Sequence, residues 1–250
     1  VPLINEGPDL DRIEDLVRSD ERIKGIWCVP KYSNPTGHVF SPDAVRRIAG
    51  LGKIAGPHFR VMWDNAYAVH DLEEDPPELA NVMDEARAES CENSIILTSS
   101  TSKITFAGGG IAFIGASVEN LKHFRKRLAV MTIGPNKLTQ QRHMLFLHDL
   151  KGVRQLMRRH AEILRPKFDA VQSRLEQDLG GRNMGNWSRP EGGYFVSFNA
   201  LPGTAAEIVR LAGEAGVKLT PAGATFPYRI DSADSNIRLA PSFPLLKEVE

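Results

Sequence analysis

Short apolar runs alternate with helical periodicity through the first half of the chain. The runs GIWCVP (25–30), RVMWD (60–64), SIILTSS (94–100) and GIAFIGAS (110–117) lack strict apolar–polar alternation. Each therefore predicts a strand buried on both faces. Between the first two, SPDAVRRIAGLGKIA (41–55) predicts a helix with Ser41 as N-cap and Pro42 in its first turn. Val45, Ile48 and Ile54 mark its apolar stripe. Ser117 is placed to cap a further helix, VENLKHFRKRLAV. Such strands separated by helices argue for a parallel or mixed sheet covered by helices.

From about residue 151 the texture changes. KGVRQLMRRHAEILRPKFDAVQSRLEQDL predicts one long amphipathic helix with a bend near Pro166. After it, GGYFVSF (192–198), VKLT (217–220) and NIRLA (236–240) predict short strands, and TAAEIVRLAGEAG predicts a helix whose Thr204 and Glu207 form a capping box. The expectation is an α/β domain over 1–150 and a smaller α+β domain over 151–250.

Composition narrows the function classes. Thirty-one Lys and Arg balance thirty-one Asp and Glu, so no overall field points to nucleic acid or to an acidic membrane surface. The basic segments KHFRKR and KGVRQLMRRHAEILRPK lie on amphipathic helices without interleaved aromatics, as solvated faces do. No run approaches the roughly 20 apolar residues of a membrane span. VPLINEGPDL has neither the basic nor the apolar region of a signal peptide. Cys28 and Cys91 are too few for a disulfide framework and fit a reducing, cytoplasmic setting. The seven histidines form no metal-binding pattern.

Four polar features stand out against this background. Asn34 opens NPTG just after the first strand, as a turn or as an oriented amide at a strand's carboxyl end. Asp64 ends the second strand, with Tyr67 three residues on, as a cap or as a carboxylate facing a ligand. Ser100, Ser102 and Lys103 follow the third strand and precede Gly108, Gly109 and Gly110, a spacing that matches neither Gly-x-Gly-x-x-Gly nor Gly-Lys-Ser/Thr. Lys103 is the one charge in TSSTSKITFAGGGIAF. Arg238 interrupts the last strand, on a solvated edge or as a fork for a carboxylate.

Taken in order, NPTG, Asp-x-x-Tyr, Ser-x-Ser-Lys and a late Arg resemble the class I/II aminotransferases, the fold-type-I pyridoxal-phosphate enzymes. The spacings agree: 30 residues from Asn34 to Asp64, 39 to Lys103 and 135 more to Arg238. PEGGYFVSF and GVKLTPAGATFP are similar to that family's small-domain segments. WCVPKYSNPTG, STSKITFAGGGIAF and RHMLFLHD look most like the bacterial aspartate aminotransferase branch. The resemblance covers nearly the whole chain.

The resemblance implies a fold-type-I architecture, a mostly parallel sheet under helices plus the small α+β domain, with pyridoxal 5′-phosphate as cofactor. It implies that Lys103 forms the aldimine with the cofactor and shuttles the Cα proton, and that Asp64 pairs with the pyridinium nitrogen. Tyr67 and Asn34 would bond the ring's 3′-oxygen, Ser100 and Ser102 would reach the phosphate, and Arg238, helped by Asn34, would clamp the substrate carboxylate. The activity implied is ping-pong transamination, on aspartate or glutamate with a 2-oxo acid acceptor, in a homodimer. A β-lyase or decarboxylase on the same scaffold, or the pyridoxal-phosphate-sensing effector domain of a transcription regulator, carries the same motifs. Two departures accompany the match. Ile111 stands where many members carry a phosphate-binding Arg, and residues 1–33 supply neither a glycine/serine phosphate loop nor a ring-stacking aromatic. The chain is therefore expected to be a piece of a longer enzyme.

Overall fold

In the computed structural model, which describes residues 1–4 and 7–249, the apolar runs of the first half become a mixed sheet. Asn5 and Glu6, inside VPLINEGPDL, and Glu250 lie outside the described residues. A two-residue antiparallel pair, β1 (Leu3–Ile4) with β2 (Gly7–Pro8), precedes α1 (Leu10–Ser19). The Asp9 carboxylate caps that helix by accepting the Arg12 N–H at 3.1 Å. Strands β3 (Gly25–Cys28), β4 (Arg60–Asp64) and β5 (Ile95–Ser100) then run parallel, and β6 (Ala112–Ala116) pairs antiparallel with β5. Their order is β3-β4-β5-β6.

This sheet belongs to the first of two compact units, Val1–Lys31, His38–Val69 and Pro77–Leu156. Helix α2 (Pro42–Gly50) starts as its sequence requires, with Ser41 Oγ accepting the Ala44 N–H and Pro42 in the first turn. Val45, Ile48 and Ala49 of α2 and Val82 and Ala86 of α3 (Val82–Ala88) pack with Val61, Trp63 and Ile95 of the sheet into one core. Phe40 meets Trp63 edge to face at 6.0 Å. Full burial of a large apolar side chain is worth about 1.5–3 kcal/mol, so this core anchors the strand ends that carry the polar residues. The burial on both faces expected from the sequence is not uniform: Trp27 of β3 and Phe113 of β6 remain exposed. Helix α4 (Val118–Met131), capped by Ser117, buries no side chain, and α5 (Lys137–Leu147) buries only His143 and Leu147.

The second unit comprises Tyr32–Gly37, His70–Pro76 and the chain from Met157 onward. A single cut near residue 150 misses the two short segments, because nothing in the local sequence of a loop says which core it joins. Helix α6 (Leu150–Leu179) runs as one 30-residue helix with Pro166 inside it. An antiparallel sheet of β7 (Gly185–Trp187), β8 (Val196–Ala200) and β9 (Asn236–Leu239) packs through Val196 against Leu72, Ala161 and Phe168. Phe198, Ala200 and Ile237 pack against Ala205 of α7 (Ala205–Glu214).

Three sequence expectations need correction. The predicted strand at 192–198 begins only at Val196, because Gly192 and Gly193 make other contacts. VKLT forms no strand, and Leu219 packs instead against the α7 core. Thr204 and Glu207 make no capping box: the Thr204 hydroxyl donates to the Leu201 carbonyl at 2.6 Å and Glu207 pairs with Arg210. Asp234 caps α7 instead, Oδ1 accepting the Ala206 N–H at 3.0 Å.

Candidate active site

In the first unit, Asp64, Tyr67, Ser100, Ser102 and Lys103 all follow or end neighbouring parallel strands at their carboxyl ends, where α/β sheets bind ligands. Asp64 Oδ2 accepts the Trp27 indole N–H from β3 at 3.3 Å, and among the described residues Asp64 forms no ion pair. Its negative charge is thus oriented by a neutral donor. The backbone then turns: the Asn65 N–H donates to the Thr98 carbonyl at 2.8 Å, and Ser99 Oγ to the Asn65 carbonyl at 3.3 Å. Tyr67 is buried, and Lys103 Nζ lies 4.8 Å from its ring centroid.

Lys103 itself sits in a tight turn. The Thr101 carbonyl accepts the N–H groups of both Ile104 and Thr105 at 2.9 Å. The Thr101 N–H donates to the Ile111 carbonyl at 2.9 Å, and the Ile111 N–H returns to Thr101 Oγ1 at 2.8 Å, so the loop closes on itself. A Cβ at Gly110 would lie 2.9 Å from Ser102 Oγ and 3.0 Å from its amide nitrogen, which explains the glycine there. At Ile111, the backbone rather than the side chain is used.

In the second unit, Asn34 and Arg238 meet although 204 residues separate them: Arg238 Nη1 donates to Asn34 Oδ1 at 3.3 Å. The guanidinium carbon lies 4.5 Å from the Phe195 ring centroid, and Nε is buried without a hydrogen-bond partner among the described residues. A buried unmet donor costs about 1–3 kcal/mol, which an anion bound by the guanidinium fork would relieve. The Asn34 loop is fixed by Tyr32, whose hydroxyl donates to Asp71 Oδ1 at 2.7 Å. Burial, then the bond to Asp71, pushes the Tyr32 phenol well above its usual range. Gly192 lies against that ring: a Cβ there would come within 2.2 Å of it. Asp71 and Gly192 form an antiparallel bridge, and the Gly193 N–H donates to the His70 carbonyl at 2.9 Å. These contacts keep the start of PEGGYFVSF out of β8.

The family described as aspartate amino-transferase matches residues 1–250. The chain belongs to that family. An aspartate aminotransferase of Corynebacterium glutamicum is 43% identical over 250 residues, covering 100% of this chain and 57% of the relative. A solved structure of an aspartate transaminase from that organism superposes with a TM-score of 0.96 at 43% identity, over 100% of this chain and 58% of that one. The α-aminoadipate aminotransferase LysN of Thermus thermophilus, solved with N-(5′-phosphopyridoxyl)-L-leucine, gives a TM-score of 0.81 at 25% identity over 100% of this chain and 61% of that one. The chain thus spans a little under three-fifths of the length of the curated aspartate aminotransferase it matches. Its fold is that of the fold-type-I aminotransferases, an α/β arrangement with a mixed sheet.

For this aminotransferase-family chain, the sequence motifs identify the polar residues but not their supports. Trp27 bonding Asp64, Asp71 bonding Tyr32 beside Asn34, and Phe195 under Arg238 all act across long separations. Trp27 and Tyr32 stand within the motif-bearing stretch WCVPKYSNPTG, yet only the fold shows what they hold. His143, unassigned in the sequence, lies under the Lys103 turn.

Proposed function

We propose that the full-length protein is a pyridoxal-phosphate-dependent aminotransferase that moves the amino group of aspartate or glutamate to a 2-oxo acid by a ping-pong cycle. The observation that carries this reading is Lys103, an amine over the Tyr67 ring in the same unit as Asp64, a strand-end carboxylate that forms no ion pair among the described residues. The donor set fits the cofactor: one amine, one carboxylate with no ion pair among the described residues, one phenol and two hydroxyls, each group matched to one feature of a pyridine aldehyde phosphate. When bound, that group supplies an aldehyde that captures amines and a ring that accepts an electron pair.

Lys103 Nζ would hold the cofactor and then take the proton that leaves the donor's Cα. The Asp64 carboxylate holds a proton at the ring nitrogen, oriented for it by the Trp27 indole. Tyr67 holds a proton toward the ring oxygen, and Ser100 and Ser102 bind phosphate with neutral donors where Ile111 replaces the usual cation. Arg238 binds the α-carboxylate as a planar fork, turned and held by Asn34 and Phe195. The 43% identity to a protein named aspartate aminotransferase supports an acidic donor. Cytoplasmic location is supported by the two free, buried cysteines. A homodimer is supported by the exposed apolar residues Val130, Met131, Ile133, Leu138, Leu145 and Phe146, to be checked by sedimentation.

The test is a donor screen with the full-length protein, cofactor and 2-oxoglutarate or oxaloacetate. Transfer of the amino group to the oxo acid is expected. Release of pyruvate and ammonia without transfer would instead make it a lyase.

A further inference from the structure

We propose that His143 is a positioning residue for Lys103, holding the lysine's turn through Thr101 and Thr105; the inference rests on the reading of Lys103 as the cofactor-holding amine. His143 is buried on α5 and makes three side-chain contacts. Nδ1 lies 2.8 Å from the Thr139 carbonyl, and Nε2 lies 3.0 Å from both Thr101 Oγ1 and Thr105 Oγ1. A carbonyl only accepts, so Nδ1 carries a proton and donates it to Thr139, and Nε2 faces the two threonine hydroxyls.

Thr101 Oγ1 accepts the Ile111 N–H and shares its remaining hydrogen bond with His143 Nε2. Thr105 Oγ1 donates to the Thr101 carbonyl at 3.1 Å and also lies 3.0 Å from His143 Nε2. The same carbonyl already accepts the Ile104 and Thr105 amides that form the turn around Lys103. Thr101 is therefore the pin of the loop, and His143 is what fixes the pin, since a hydroxyl without that partner is free to rotate. The preceding residue grips the loop as well: the Arg142 guanidinium carbon lies 5.4 Å from the Phe106 ring centroid. Two successive residues of one helix thus hold the segment that carries Lys103. Neither reaches Lys103 directly, so the effect is one of placement, and small misplacements of a reacting group cost up to about 100-fold.

The test uses the full-length protein as wild type, His143→Ala, His143→Gln and Thr101→Val. In the cofactor-free form, His143→Ala is expected to speed hydrogen exchange about tenfold at the amides of Ile104, Thr105 and Ile111, with core amides of β4 and α2 unchanged. In the loaded form, kcat falls about 10- to 100-fold while the donor KM stays within about twofold. His143→Gln, whose side-chain oxygen can take the Nε2 position, restores most of both. Thr101→Val reproduces the alanine phenotype, and the double variant is no worse than the poorer single one. If His143→Ala does not fold, Thr101→Val carries the same readouts. Wild-type exchange in the loop overturns the proposal, as does a uniform rise across the unit or faster loop exchange with kcat unchanged. If Lys103→Ala instead keeps full activity, the cofactor reading fails while the loop-exchange result still stands by itself.

Discussion

The turn that carries Lys103 closes on chain close to it in sequence, whereas Arg238 is held by residues far from it. The Lys103 turn closes between Thr101 and Ile111, and its other anchor is one helix of the same unit. Arg238 rises from β9 and is fixed by Phe195 on the approach to β8 and by Asn34, 204 residues away. The first arrangement is local and survives small shifts elsewhere. The second depends on the Tyr32–Asp71 bond and on the close approach of Gly192, so it is sensitive to packing at a distance. The turn that carries Lys103 is closed largely by its own loop, and Arg238 is placed by tertiary structure.

The largest way to break the comparison is at Lys103. Lys103→Ala should lower kcat about 10,000-fold, the upper range for a positioned acid–base group, with little change in melting temperature. Steady-state kinetics with aspartate checks this. Arg238→Lys keeps the charge but loses the fork, and should raise the donor KM about 100-fold, while kcat measured at saturation changes far less. If instead Arg238→Lys lowers kcat alone, the guanidinium is not a ground-state carboxylate clamp.

Tyr32→Phe sharpens the long-range side. Removing the hydroxyl that faces the Asp71 carboxylate should cost about 2 kcal/mol in urea unfolding. It should weaken donor binding through Asn34 and Arg238 but leave hydrogen exchange in the Lys103 turn unchanged. Loss of protection in that turn as well would erase the distinction between the two regions.

The smallest effect concerns pH. Burial pushes the Cys28 thiol up to about 12, from an ordinary value near 9. Between those values the unfolded chain loses the thiol proton and the folded chain keeps it, so stability falls as pH rises through that window and is flat below it. The slope is at most about 1.4 kcal/mol per pH unit. Cys28→Ala should show a shallower decline above pH 9 than the wild type, measured by denaturant titration at several pH values.

What the sequence could convey follows the same local and non-local division. The parallel strands, α2 with its Ser41 cap and the 30-residue α6 are written in short-range periodicity and capping, so they were legible. Asn34, Asp64, Tyr67, Lys103 and Arg238 were legible as motifs because each is a residue type in a recognisable short context. Their partners were not. Asp234 capping α7, Trp27 behind Asp64 and Tyr32 against Gly192 are contacts between segments whose sequences carry no mark of one another. The capping-box motif at Thr204 failed for the same reason: a tertiary carboxylate reached the helix end first. VKLT has strand composition but joins no ladder among the described residues, and Leu219 packs against the α7 core instead.

The central claim is that Lys103 is the amine that holds the cofactor. Its most direct measurement is borohydride reduction of the full-length protein after incubation with pyridoxal 5′-phosphate, followed by peptide mass spectrometry. One phosphopyridoxyl group per chain on the peptide containing Lys103, and none in Lys103→Ala, is the predicted result. A label on another lysine, or equal labelling of Lys103→Ala, would contradict it.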